Sequence, residues 1–182
     1  HFDNTSFEPK ISIIIPVYNE EKVIKKKIKN ILSLKYPYNK MEVVVVSDAS
    51  TDRTNDLVRQ FQDSRLKFLI QPQRDGKASA LNRGLRVATN EIIVFSDASI
   101  ILEPDALQKL VSGFRSEKIG CISGEDFIPG GGGEGAYGKY ELFLRNLESR
   151  ASSIVGASGC FYAQRSSLCD SFPEGMEIGR AH

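Results

Sequence analysis

The feature that most constrains this chain is a series of short apolar runs, each stopping at a polar or acidic residue. "ISIIIPV" at 11–17, "MEVVVVS" at 41–47, "RLKFLI" at 65–70 and "IIVF" at 92–95 are brief and rich in β-branched residues. Runs of this length and content read as buried strands. Helical patterns separate them. In 20–34, Val23, Ile24, Ile28, Ile31 and Leu32 recur at helical spacing, with lysines on the other face. Segment 51–61 opens with capping residues. Segment 76–88 turns Ala80, Leu81, Leu85 and Ala88 inward, and a further helix is predicted from Pro104 to about Val111. Wholly apolar strands that alternate with helices predict a parallel sheet covered on both faces. In such sheets ligands bind beyond the carboxyl ends of the strands. Tyr18-Asn19-Glu20, Ser47-Asp48 and Ser96-Asp97 all follow strand ends.

Several function classes fall away on composition. The formal net charge of +1 argues against a nucleic-acid binder that relies on a basic surface. The two histidines are the first and last residues, His1 and His182, which disfavours imidazole catalysis and histidine-held metals. Three cysteines without Cys-x-x-Cys spacing fit a reducing compartment and no structural zinc. No apolar run approaches the roughly 18–20 residues of a membrane helix. The chain has no initiator methionine and no signal peptide, and its abrupt ends suggest a piece of a longer protein. The final Gly-Arg-Ala-His reads as an added remnant.

Each candidate residue has two readings. Asn19 is either a helix cap or part of a site at the end of the first strand. Asp48 accepts hydrogen bonds only, which suits a ring N–H or ribose hydroxyls, whereas Asp52 reads as a helix-start acid. Arg74, Asp75, Gly76 and Lys77 open a helix, where an anion such as phosphate is favoured. The alternative is a surface turn with a solvated lysine. The glycine cluster at 129–135 lacks the strand-to-helix setting of a phosphate loop and reads as a flexible connection. Residues 136–156 are predicted to be helical, with Leu144, Leu147, Ala151 and Ile154 on one face. Residues 156–168 suggest a turn, a strand and a short helix.

Taken in order, "IIIPVYNEE", "VVVVSDASTD", "GKASALNRGL", "VFSDAS", "YELFLRNLES" and "GASGCFYAQR" resemble the family 2 glycosyltransferases of GT-A fold. The resemblance runs from residue 11 to about 170 and is nearest to membrane-associated polysaccharide synthases. It implies an α/β fold with a mainly parallel central sheet flanked by helices, cut short at its C-terminal end. It divides the chain into a lead-in at 1–10, a nucleotide-sugar-binding half at 11–128, the glycine-rich loop at 129–135, a partial acceptor half at 136–175 and a tail at 176–182. The implied donor is a nucleotide-diphosphate sugar, with uracil the usual base. The implied acceptor is a saccharide or a lipid-linked molecule, on the cytoplasmic side of a membrane. Pro16, Tyr18 and Glu20 would line the nucleoside pocket and Asp48 would bind the base. Lys77 and Arg74 would lie near base and diphosphate. Ser158, Gly159 and Arg165 would serve the acceptor side.

Asp97 matches the first acid of the family's Asp-x-Asp motif, which addresses the sugar nucleotide and a Mg²⁺ or Mn²⁺ ion. Ser99 stands where many relatives have the second acid, and a hydroxyl is a poorer ligand for a hard cation. The general base of inverting transfer is expected just beyond "SLCDSFPEGMEIG", so the piece alone is expected to be inactive or weakly active. Two rivals remain: a domain that keeps the fold for nucleotide binding or scaffolding without chemistry, and a nucleotidyltransferase. The second would need a glycine-rich loop and lysine soon after the first strand, which "PVYNEE" does not supply.

Overall fold

The computed structural model describes residues 6–124, 143–146 and 161–173. Strands β1 (Ile11–Val17), β2 (Met41–Ser47), β3 (Leu66–Ile70) and β4 (Ile92–Ser96) alternate with helices α1 (Ile24–Leu32), α2 (Thr54–Arg59) and α3 (Lys77–Val87). After β4 come α4 (Ala106–Ser112), β5 (Ile119–Ser123), β6 (Phe143–Asn146) and β7 (Phe161–Arg165). One seven-stranded sheet results, in the order β3-β2-β1-β4-β7-β5-β6. The first four strands are parallel, as the sequence predicts. The other three join antiparallel, β7 against β4 and β5, and β6 against β5.

Strand alternation divides the core. Ile11, Ile13, Ile15 and Val17 of β1 pack with Met41, Val43, Val45, Ile92 and Val94 under α1, α2 and α4. Ile14, Val44, Val46, Ile93 and Phe95 face the other way, toward Ala80 and Leu81 of α3. Both faces are covered, which is why these strands carry few polar residues.

Pro16 sits inside the central strand, where a proline is unusual because it donates no ladder hydrogen bond. It stays in register with Val46 of β2, but the β1–β4 pairing ends at Ile14 and Phe95. The two strands therefore part at their carboxyl ends. Beyond β1 the chain turns to β2 and β3, whereas β4 lies on the other side. A divergence of this kind marks a ligand crevice in open α/β sheets.

Two expectations need correction. Phe143–Asn146 lies within the span predicted to be helical but pairs as a strand with Ile119–Ser123. A short apolar run such as Leu142-Phe143-Leu144 does not distinguish helix from strand by period, and the open edge of β5 supplies the pairing that decides it. The rest of 136–156 and the 129–135 loop lie outside the described residues. Asn19 also does not cap α1, whose first turn follows hydrogen bonds from Val23 and Ile24 to the Glu20 carbonyl.

Helix α3 packs on β1 through Gly84, where an added Cβ would lie 2.6 Å from Cγ2 of Ile14. That atom hangs directly on Cβ, with Cδ1 and Cγ1 of the same side chain at 3.3 and 3.4 Å, so clearing it takes a rotamer change in a packed core or a shift of strand or helix. Gly84→Ala is therefore expected to destabilise the fold by about 1–3 kcal/mol despite alanine's better helix propensity. Urea denaturation of the variant checks this, and an increase in stability would contradict the close approach.

Candidate nucleotide-sugar site

The β1 and β2 ends are stitched together through side chains. Asn19 and Ala49 both take positive φ, 50° and 56°. For alanine this conformation costs about 1–2 kcal/mol. The surrounding bonds hold it. Ser47 Oγ accepts from the Ser50 amide at 3.3 Å, and Asn19 Oδ1 accepts from the Thr51 amide at 2.7 Å. The Glu20 amide donates to Thr54 Oγ1 at 2.8 Å, and the Glu21 amide to Asp52 Oδ2 at 3.2 Å. Asp52 also accepts from the Thr54 amide at 2.9 Å, the helix-start role expected of it. Burial alone would raise the Asp52 carboxyl, but the bonds from Thr54 and Glu21 take it below the ordinary carboxylate range.

Asp48, only 4% exposed, ends β2. Its carboxylate accepts from Gln71 Nε2 at 2.7 Å, the Asp75 amide at 2.8 Å and the Gly76 amide at 2.9 Å. A carboxylate has about four acceptor positions, so three are used within the protein and one remains. The same bonds take amides at the start of α3 that could otherwise face a phosphate. Gly76 there has φ 91°, which favours glycine. Gln71 was not predicted as a site residue. Its buried amide gives one hydrogen to Asp48, while its Oε1 accepts from Ser79 at 3.2 Å. A glutamine just after a strand gives no sequence signal for such a role.

Across the crevice, Lys77 Nζ lies 2.7 Å from Asp97 Oδ1, with both side chains partly exposed. The Arg74 guanidinium stacks 3.8 Å above the Tyr18 ring. Pro16, Tyr18, Glu20, Asp48, Arg74, Lys77 and Asp97 thus follow or flank the carboxyl ends of the parallel strands. The Glu20 carboxyl is pushed up by burial first, and then by the nearby charges of Asp97 and Asp52. Tyr162, stacked on Phe95 with ring centroids 4.6 Å apart, also has its hydroxyl pushed up, by burial first and with Asp97 among the lesser causes.

Arg165 lies elsewhere. It pairs in register with Ile92, at the amino end of β4. Its guanidinium donates to the carbonyls of Ile119 at 2.8 Å and of Phe114 and Ser116, both at 3.1 Å. The antiparallel direction of β7 carries its last residue away from Asp97, so the expected acceptor-side placement of Arg165 is not what the fold gives. Ser158 and Gly159 lie outside the described residues.

Among the described residues, no group of three or more His, Cys, Asp or Glu side chains could hold a metal ion. Asp97 is already paired with Lys77, and Ser99 is an exposed hydroxyl on the turn that follows. This donor set fits a Mg²⁺ or Mn²⁺ ion that brings most of its ligands as diphosphate oxygens and water, as Mg²⁺ commonly does. It does not fit a cation caged by the protein alone.

The family's sequence pattern, glycosyl transferase family 2, matches residues 12–171. This chain belongs to that family. Glycosyltransferase AglE of Haloferax volcanii is 32% identical over 151 residues, which is 81% of this chain and 49% of AglE. Mannosyltransferase PcManGT of Pyrobaculum calidifontis, solved with GDP-Man and Mn²⁺, aligns with a TM-score of 0.65 and 38% identity over 67% of this chain and 37% of its own. TarS 1–349 of S. aureus, solved with UDP, aligns with a TM-score of 0.67 and 26% identity over 87% of this chain and 47% of its own. The chain thus spans about half the length of AglE and a smaller share of the two solved proteins. The fold is the GT-A architecture of these neighbours.

A test of the electrostatics follows from Glu20. Its raised pKa means that the carboxylate form is less favourable in the fold than in the unfolded chain. Glu20 therefore costs stability above its folded-state pKa, and the cost is relieved as pH falls toward the ordinary value of 4.5. Asp97→Asn removes one of the causes. Carbon-13 NMR titration should show the Glu20 midpoint moving down while remaining above 4.5, because burial is the larger cause. An unmoved midpoint would show that the two carboxylates do not sense each other.

Proposed function

We propose that this chain carries the donor site of a glycosyltransferase that uses a uridine-diphosphate sugar and transfers the sugar with inversion to a saccharide or lipid-linked acceptor. One observation carries the reading. Where β1 and β4 part, Tyr18 and Asp48 stand on one side and Asp97 on the other, with Lys77 reaching from the Asp48-anchored turn to Asp97. The first side suits a nucleoside: a flat ring for the base and one remaining acceptor position on Asp48 for a ring N–H. The second suits a diphosphate: Lys77 can exchange Asp97 for a phosphate oxygen, and Asp97 can then meet a cation that arrives with the ligand.

In the proposed reaction the acceptor hydroxyl oxygen attacks the anomeric carbon. The bond from that carbon to the diphosphate breaks, its electron pair stays on the leaving oxygen, and a base takes the hydroxyl proton. Lys77 stabilises the charge gathering on the diphosphate. A bound Mg²⁺ or Mn²⁺ supplies further neutralisation of that charge. Residues 11–128 form the nucleotide half in this reading, and 136–175 belong to the acceptor half. The placement at the cytoplasmic face of a membrane rests on the resemblance to polysaccharide synthases alone. Uridine is supported by the UDP bound to TarS, while the GDP-Man bound to PcManGT makes guanosine the competing base.

Calorimetric titration with uridine, guanosine, adenosine and cytidine diphosphates decides the base. Uridine diphosphate is expected to bind most tightly, and a preference for guanosine would replace it. Asp48→Ala should weaken binding of plain uridine by at least roughly 1.5–3 kcal/mol, the worth of a hydrogen bond to a charged acceptor, because it also frees the turn that holds Arg74 over Tyr18. Asp97→Ala should spare uridine and weaken the diphosphate sugar. Equal losses in both variants for both ligands would contradict a division of the pocket into nucleoside and diphosphate sides.

Metal binding gives a further prediction. The unliganded protein should hold Mn²⁺ poorly, and binding should appear once uridine diphosphate is added. Lys77→Met frees Asp97 and should raise Mn²⁺ affinity without nucleotide, and Ser99→Asp should raise it in the nucleotide complex. Paramagnetic relaxation of water reports both. Tight binding by the unmodified protein alone would reveal a ligand set other than Asp97 and the diphosphate.

A further inference from the structure

One buried polar group has no part in the site as described. Lys27, in the middle of α1, has a relative exposure of 0% and is among the largest fully buried side chains. Lysine is rarely buried completely, because its amine must then find acceptors inside the protein. Lys27 Nζ donates to Ser96 Oγ at 2.7 Å and also to the Ile100 carbonyl. Ser96 is the last residue of β4, and Ile100 closes the turn that follows, where its amide donates to the Asp97 carbonyl at 3.3 Å. The two acceptors therefore bracket Asp97, Ala98 and Ser99.

The same helix grips the chain one step further on. Asn30 Nδ2 donates to the Leu102 carbonyl at 2.8 Å, and Asn30 Oδ1 accepts from the Leu102 amide at 2.8 Å. Between these points Ala98 is buried as a peg in the core, while Ser99 is exposed at the apex and Asp97 is half-buried. A turn pinned from below at both ends cannot shift its acid without breaking bonds in the core. An apolar side chain at 27 would fill the same space but leave the Ser96 hydroxyl and the Ile100 carbonyl without this donor.

We propose that Lys27 is a positioning residue of the donor site. From inside the core it spans the turn that carries Asp97 and Ser99 and fixes where these groups meet the diphosphate end of the ligand. The proposal rests on the donor-site reading above for its function, and on the two hydrogen bonds for its geometry. Lys27 touches no ligand and acts only through the turn.

The test compares the unmodified chain with Lys27→Met and Ser96→Ala. Amide hydrogen exchange reads the turn directly. In Lys27→Met the Ile100 amide should exchange at least about tenfold faster, while the β2 amides of Val43–Val46 keep their protection. Titration reads the consequence. Affinity for uridine diphosphate with Mn²⁺ should fall by about tenfold or more, as when a group that orients a ligand-binding side chain is removed. Affinity for plain uridine, held at the Tyr18 and Asp48 side, should not change. Ser96→Ala should shift both readouts in the same direction by less, and it decides the matter if Lys27→Met does not fold. A merely structural lysine would raise exchange throughout the sheet, or weaken uridine and its diphosphate alike, and either result overturns the proposal. So does an unchanged Ile100 amide. If the unmodified chain binds no nucleotide, the donor-site reading fails, and the exchange at Ile100 still decides whether Lys27 sets the turn.

Discussion

The carboxylate of Asp48 is the contact on which the rest of the crevice depends. A buried acid needs donors, and here every donor comes from one stretch of chain, Gln71 to Gly76. The bonds tie the end of β2 to the turn that starts α3. With Gly76 held at positive φ, the helix begins at Lys77, and its first side chain is delivered toward Asp97. Arg74, two residues before Gly76, is delivered over Tyr18 by the same turn. One acid thus places a basic group on each side of the crevice. Any change at position 48 therefore acts on Arg74 and Lys77 as well as on the carboxylate itself.

The sheet makes room for this arrangement. Pro16 stays in register with β2 while β1 and β4 have already stopped pairing. The opening therefore falls between strands that are otherwise tightly packed on both faces. Its electrostatics are mixed: burial first, and then the charges of Asp97 and Asp52, raise the Glu20 carboxyl, while Lys77 is paired with the partly exposed Asp97. A pocket of this kind repels a bare anion less than an all-acid site would. It still has carboxylate charge to spare for a cation.

Much of this was legible in the sequence, for reasons that also explain the failures. A parallel strand buried on both faces must be apolar until it ends, so the first acid after it stands at the sheet edge, as Asp48 and Asp97 do. The rule has a direction built in. Arg165 was placed on the acceptor side by the resemblance and not by this rule, and it lies at the opposite edge because β7 runs the other way. The stitching by Asn19 depends on partners 31 to 33 residues away, which no local pattern encodes. Lys27 did carry a signal: it falls at the same helical spacing as Ile24, Ile28 and Ile31, on the buried face. Among the lysines of "KVIKKKIKN" it was read by residue type when its position was the informative part. The helix expected over 136–156 rests on Leu144, Leu147, Ala151 and Ile154 at helical spacing, and that spacing does not report the pairing with β5 that makes Phe143–Asn146 a strand.

The two basic side chains also couple the events expected at the site. In the unliganded protein Lys77 satisfies Asp97 and Arg74 covers Tyr18, so each acid or ring already has a partner. A diphosphate that draws Lys77 away leaves Asp97 with an unmatched charge in a partly buried setting, which favours the uptake of a cation. On the same reading, Asp97 engaged by a cation would release Lys77, which would favour the diphosphate. The two affinities must then strengthen each other by the same factor, because coupling between ligands is reciprocal. Ser99 bears on this directly. With a second acid at that position, one carboxylate could keep Lys77 while the other held the cation, and the two ligands would lose part of the reason to wait for each other. On the proposed reading the serine would make cation and diphosphate more dependent on each other, with the Lys77–Asp97 pair as the element both would have to open.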